Sequence, residues 1–410
     1  MIRKPELLAP AGDYKRMMYA IEYGADAVYI GGECYSMRQA STNFTLDEIA
    51  KGVAYAHSRK VKVYVAVNTV PRNDEIDSFP EYIDALAAAK VDALIIGDMG
   101  VFSLVRKLHP EMEIHISTQF NTINYEACNM WYSLGVKRVV LSRECSLEEI
   151  KRIREKIPAD MELEAFCHGA MCMAHSGRCL ISAFLTDRDP NRGACTQPCR
   201  WKYSLCEETR PGEYFPIEET DNGTYILNSK DMCMIEHVPE MINAGVSSFK
   251  IEGRVKTEYY VAAVTSAYRK AIDDCFTDLD KYYENVDSYL AEVCKVSHRA
   301  YGTGFYYGNP LEQGQNYETG GYIREYEVSA LVTGYDSVNK RIHLVQRNKF
   351  SVGDTVEIME AGRAPTEIVV TEMRDAEGNL VFSAPHPEMK LTIPYDRYVS
   401  DFEIIRRAKY

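Results

Sequence analysis

Short apolar runs recur along the first two thirds of the chain, each preceded by a stretch with amphipathic helical spacing. Four share one shape: GADAVYIGG from Gly24, KVDALIIGD from Lys90, GVKRVVLSRE from Gly135 and GVSSFKIEGR from Gly245. In each, Gly or Lys closes a helix, an apolar run follows, and polar or Gly residues end it. This is the pattern of a helix–strand unit read up to the strand's C-terminal edge. Further runs fill the gaps, at Glu6 (ELLAPAG), Lys62 (KVYVAVNT), Glu113 (EIHISTQ) and Glu162 (ELEAFCHG). Near-continuous apolar strands alternating with helices such as SLEEIKRIREKI, from Ser146, predict a parallel sheet buried on both faces. Eight such units over about 270 residues predict a (β/α)8 TIM-like barrel. An open doubly wound sheet is the alternative, and no GxGxxG follows the first strand to support a dinucleotide-binding version of it.

The last unit is interrupted. About 80 residues separate the seventh and eighth predicted strands, more than a crossover helix needs. The excess opens with a cysteine-rich stretch and continues through a predicted hairpin, RWKYSLCEE pairing with GTYILNS. Ser229 then reads as an N-cap, with a helix starting at Lys230. After Asp278 come helical LDKYYENVDSYLAEVCKV and a Gly-rich turn, and from about Gly320 short alternating strands take over. One of these, KFSVGDTVEI, resembles the small β-barrels attached to translation factors. The expected layout is a barrel over 1–277 carrying a Cys-rich insertion over 169–228, a helical connector over 278–319, and a small all-β barrel domain over 320–410.

Composition narrows the class. The 410 residues are 46% hydrophobic and 26% charged, as in a soluble globular protein. The opening MIRKPELLAPAG has no signal-peptide core, and no apolar run is long enough to span a membrane, so the expected location is the cytoplasm. The net charge of -13 argues against broad, non-specific nucleic-acid binding but leaves room for a local basic groove. Twelve cysteines in a reducing compartment favour metal binding or catalysis over disulfides.

Cys172, Cys179, Cys195 and Cys199 are spaced C-x6-C-x15-C-x3-C. Structural zinc sites usually bring cysteines in tight pairs, and only the second pair is tight, so zinc is the weaker alternative. Iron–sulfur clusters accept irregular spacing from several loops. Cys233 is a fifth candidate, placed by the predicted helix start where the helix field favours a thiolate. Three ligands are expected at Cys172, Cys179 and Cys195, with Cys199 or Cys233 as the fourth. The isolated Cys128, Cys145, Cys275 and Cys294, the strand-end Cys34 and Cys167, and the hairpin Cys206 read as packing residues. His168 and His175 stand in the cluster but are not needed beside four or five thiols.

The cysteine stretch reads E-x-F-x2-G-A-M-C-x4-G-x-C-x-I-S from Glu164 to Ser182. With LLAPAGD, YIGG, HISTQ, NRGACTQPCRW, NSKDMC, FKIEGR and TGFYYG, it resembles the collagenase-like peptidase family numbered 32 among peptidases of unassigned mechanism, over essentially the whole chain. The two-domain layout is most similar to the branch implicated in forming 5-hydroxyuridine at the wobble position of the tRNA anticodon loop. That resemblance implies a 4Fe-4S cluster, prephenate as cosubstrate and a paralogous family partner. It implies cluster ligands at Cys172, Cys179, Cys195 and Cys233, with Cys199 as the alternative fourth.

Proteolysis is the alternative that the family name implies, yet the residues offer little for it. There is no HExxH and no GxSxG, and a Cys–His dyad drawn from neighbours such as Cys167 and His168 has poor geometry. A barrel's chemistry belongs at the strand C-termini, which nominates Asn68, Asp98, Gln119, Asn121, Arg143, Glu144, His168, Glu252 and Arg254, with Arg38 close by. Catalytic roles are expected for Glu252, Arg254, Arg143, Glu144 and Gln119, with Glu252 and Arg254 as the leading pair. Arginines there suit the two carboxylates of prephenate.

Overall fold

A computed structural model describes residues 3–37, 43–172, 179, 181–186, 188, 190, 194–201, 205–206, 214–215, 229–314 and 322–409. Arg38 and His175 lie outside the described residues.

The eight predicted strands all form. They are β1 (Glu6–Pro10), β2 (Ala27–Gly31), β3 (Lys62–Val67), β4 (Ala93–Ile96), β5 (Ile114–Ile116), β6 (Arg138–Val140), β7 (Glu162–Ala170) and an eighth barrel strand, Ser248–Ile251. Each pairs in parallel with the next, and the eighth pairs with both β7 and β1, so the barrel closes. The residues read as helix ends explain the strand entries. Gly24, Gly135 and Gly245 have φ of +100°, +79° and +89°, and Lys90 has φ +59°. This left-handed C-terminal turn frees the chain to drop back into the barrel. Side-chain caps fix the helix starts: Thr45 with Glu48, and Ser146 with Glu149, form reciprocal capping boxes.

The main apolar core lies between the barrel strands and the surrounding helices. The barrel interior holds a smaller cluster of Leu8, Ala27, Tyr29, Tyr64, Ala93 and Ile95. Helix Glu258–Thr277 completes the eighth unit, and helix Leu279–Cys294 packs against it, with Asp278 ending one and capping the other.

Strand Leu205–Cys206 pairs with Tyr214–Phe215, and the expected partner GTYILNS lies, except for Ser229, outside the described residues. One expectation at the end of the insertion changes. No helix starts at Lys230. Asp231–Cys233 is instead a strand, antiparallel to the end of β7, with Asp231 opposite Ala170 and Cys233 opposite His168. β7 outlasts its barrel neighbours and leaves backbone groups unpaired past the rim. Satisfying them outweighs a single N-cap signal.

The C-terminal residues form an eight-stranded antiparallel sheet, built around Tyr326–Asp336, Arg341–Gln346 and Ile404–Ala408. The small barrel expected there is a half-barrel. Phe350–Ser351 and Ser383–Ala384 form a separate two-stranded ribbon. The half-barrel joins the main body through buried polar contacts. Tyr23 donates to the Met359 and Phe402 carbonyls at 2.9 and 3.0 Å. Arg406, fully buried, binds Glu292 at 2.7 Å and Glu357 at 2.9 Å.

Candidate functional site

Inward positions of the strands carry charge as well as apolar bulk. At the lower end Arg138 donates to Glu6 (2.5 Å), Glu162 (2.8 Å) and Glu164 (3.1 Å). Tyr64 and Ser248 also donate to Glu6, at 2.7 and 3.0 Å. Burial alone would raise the Glu6 carboxyl, but Arg138 and Tyr64 hold it down at about 2. One level higher Lys250 donates to Glu164 at 2.6 Å, with its ammonium 4.5 Å from the Tyr29 ring and 5.5 Å from the Phe166 ring. Burial opposes ionisation of Glu164 too, and Lys250 and Arg138 overcome it. The alternation of charge in PELLAP, ELEAF and SSFKI is the signal for this column. Reading those runs simply as buried strands misses it.

The column ends under the mouth. The Arg143 guanidinium lies 3.8 Å from the Phe166 ring, donates to the Ala170 carbonyl at 3.1 Å and reaches Glu252 at 3.3 Å. Arg254, 4% exposed, donates to Ser36 at 2.6 Å. It passes so close over Gly31 that a Cβ there would stand 2.1 Å from its Nη1. The expected Glu252–Arg254 pair therefore shares a location but not a bond. Glu252 is turned to Arg143 and Arg254 to Ser36, a partner the sequence reading did not nominate. Gln119 is buried, and its Oε1 has no hydrogen-bond partner among the described residues. A Cβ on Gly97 would meet that oxygen at 2.7 Å, so glycine makes room for it. Glu144 accepts from Ser142. Asn68 accepts from the Met37 amide at 3.3 Å, and Asn121, at φ +53°, donates to the Gln119 carbonyl.

Two nominated residues serve elsewhere. Asp98 caps helix Met99–Leu108, accepting from Gly100 and Val101. His168 leaves the barrel interior because the ladder slips by one residue opposite Cys167. Its ring lies among Tyr260, Tyr268 and Tyr301, and burial lowers its pKa to about 3.

The cysteines divide by environment. Cys172 and Cys195 are exposed, and Cys179 and Cys199 half-buried. Cys172 follows the end of β7 directly, and Cys199 lies in the short 3-10 turn Pro198–Arg200. Cys233 is buried on the strand joined to β7, 3.9 Å from the Tyr268 hydroxyl, and burial pushes its thiol up to about 12. The thiolate-favouring helix start expected at Cys233 is thus replaced by a strand in an apolar layer. Cys128 and Cys145 are buried with thiols likewise pushed up to about 12, as packing residues should be. Among the described residues no three His, Cys, Asp or Glu side chains converge at metal-binding distance. The donor set fits a thiolate-bound group in kind and in chain placement: the cysteines lie on segments leaving and rejoining the end of β7. The Cys233 thiol lies against the Tyr268 hydroxyl in the buried layer, whereas Cys172 and Cys195 are exposed.

Residues 12–316 match the family model described as Peptidase family U32, and residues 324–406 match the Peptidase family U32 C-terminal domain. The chain is 37% identical over 407 residues to the tRNA hydroxylation protein P1 of Bacillus subtilis, covering 99% of this chain and 96% of that one. It is 38% identical to the tRNA hydroxylation protein P of Escherichia coli, covering 95% and 94%. A protein named Collagenase from Porphyromonas gingivalis is 32% identical, covering 86% of each.

Proposed function

Since this chain belongs to peptidase family U32, we propose that it hydroxylates tRNA, converting the anticodon wobble uridine to 5-hydroxyuridine. The observation that carries this reading is the near full-length likeness to proteins named for tRNA hydroxylation. The barrel mouth supports it. Arg143 and Arg254 bring two guanidinium groups to the rim, suited to an anionic cosubstrate such as prephenate. Glu252 and Phe166 orient Arg143, and the interior ion pairs below hold that floor rigid. Gln119 adds a buried amide oxygen near the mouth that has no hydrogen-bond partner among the described residues. Glu144, fixed by Ser142, completes the catalytic set.

The cysteine segments beside the mouth would hold a 4Fe-4S cluster through Cys172, Cys179, Cys195 and Cys233, with Cys199 as the alternative fourth ligand. Such a cluster supplies one-electron redox chemistry when bound. Zinc on the same thiols would make a structural site instead. The acceptor is the tRNA anticodon loop, and a paralogous family member is the candidate protein partner. The test pairs anaerobic purification, with iron and sulfide analysis, with mass spectrometry of tRNA nucleosides from a deletion strain. Bound iron and sulfide and loss of hydroxyuridine are expected. Unchanged hydroxyuridine in that strain overturns the reading.

The relative named Collagenase raises peptide cleavage as a second reading. Against it, Cys167 and His168 are both buried, and His168 faces tyrosine hydroxyls rather than a thiol. Purified protein is expected to leave a collagen-like peptide intact.

A further inference from the structure

Beside the mouth, three cations gather around one tyrosine ring. Lys256 Nζ and the Arg299 guanidinium each lie 4.7 Å from the centre of Tyr322, and the Arg324 guanidinium lies 5.8 Å away. Lys256 is also 5.1 Å from the Tyr260 ring. The cluster has depth: Arg299 is buried, Lys256 half-buried and Arg324 exposed, with Tyr322 at 36% exposure. Arg299 Nη1 is 4.0 Å from Asp231, while Lys256 and Arg324 meet no carboxylate among the described residues.

Packing like charges together costs Coulomb energy, and a cation–π contact offsets only part of it without neutralising the charge. An anion relieves the repulsion. The side chains are already ordered by the ring and by the Arg324–Ser297 hydrogen bond of 3.2 Å, so little freedom is lost on binding. The patch runs from an exposed guanidinium, Arg324, down to a buried anchor, Arg299, which suits an extended polyanion. Lys256 stands two residues past Arg254, and Asp231 pairs with Ala170, two residues before Cys172. The cations therefore flank both the arginine rim and the foot of the cysteine segment.

We infer that Lys256, Arg299 and Arg324, organised by Tyr322, form a phosphodiester-binding patch that holds the RNA backbone while a nucleotide is presented to the barrel mouth. This rests on the proposed tRNA substrate and adds where the RNA is gripped. Such contacts position without reading sequence.

The test measures tRNA binding by full-length protein across a range of NaCl concentrations. The variant pair Lys256→Gln/Arg324→Gln is compared with Lys90→Gln/Lys137→Gln, exposed lysines at the opposite end of the barrel. The patch variant should bind on the order of 10-fold more weakly, with the slope of log K against log salt reduced by about 1.5. The distal variant should match wild type. Equal affinity and slope in the patch variant, or equal losses in both variants, overturn the patch. Tyr322→Leu, which keeps every charge, should weaken binding by a smaller factor without changing the slope. If wild type itself binds no tRNA, the substrate reading falls with the patch. If wild type binds and the deletion strain lacks hydroxyuridine, but the patch variant binds normally, only the patch falls.

Discussion

Arg143 is held from three directions: an aromatic face, a main-chain carbonyl and a carboxylate. A lysine would keep the charge but lose the planar stacking and the forked donors. Arg143→Lys should therefore leave the fold nearly intact, moving the melting temperature by no more than about 2–4 °C. It should lower tRNA hydroxylation on the order of 100-fold, the scale of a misplaced positioning group. Both are read from thermal melts and from nucleoside mass spectrometry of a complemented deletion strain. Loss of activity matched by loss of folding would place Arg143 in the scaffold instead. The position of Arg143 at the mouth is legible in sequence, because it follows a strand run directly. Its partner is not. A strand-end motif gives height along the barrel axis, whereas pairing depends on the angle around it. That is why Glu252 and Arg254, two residues apart, turn to different partners. Gln119 is legible in the same sense, and its buried, unsatisfied oxygen emerges only from packing.

At the level of elements, periodicity predicts all eight barrel strands, since apolar runs and left-handed helix ends are local signals. The strand Asp231–Cys233 escapes that reading because what it satisfies is remote in sequence: the overhanging end of β7. This strand decides the environment of Cys233. A thiol in an apolar layer must give up its proton to become a metal ligand. Two single substitutions separate the candidates for the fourth position. If Cys233 is the ligand, Cys233→Ser should cut iron and sulfide content well below wild type after anaerobic purification, while Cys199→Ser retains them. The reverse result assigns Cys199. Full content in both variants would mean that the two thiols substitute for one another or that neither binds. Cys128→Ser, in the helical core, should leave metal content unchanged and serves as the control.

Across the whole molecule, titrating groups set opposing pH trends. Glu403, near the seam where Tyr23 meets Phe402, has its pKa raised to about 7 by burial first and then by Glu360. A carboxyl raised on folding favours its neutral form, so the folded state gains stability as pH falls from 7 toward the ordinary value near 4.5. His168, lowered to about 3, and His115, also lowered by burial, act oppositely. Their unfolded forms take up protons below about 6.5, so each removes stability as pH falls further. His168 and Glu403 largely offset one another, and His115 tips the balance toward loss of stability as pH falls below that point. Glu6, held at about 2, adds to the loss below 4.5. Stability should therefore peak near pH 6.5. Between 6.5 and 7 the ionisation of Glu403 weakens the fold, alongside loss of the His109 proton, whose pKa the Asp84 hydrogen bond raises, and Glu403→Gln removes the first of these. It should raise stability at pH 8 by about 1–2 kcal/mol, while the acid limb steepens. Denaturant unfolding at pH 5, 6.5 and 8 measures all three points. A variant weaker than wild type at pH 8 would mean that Glu403 earns its place through the Ser400 and Ala361 hydrogen bonds rather than sitting there at a cost.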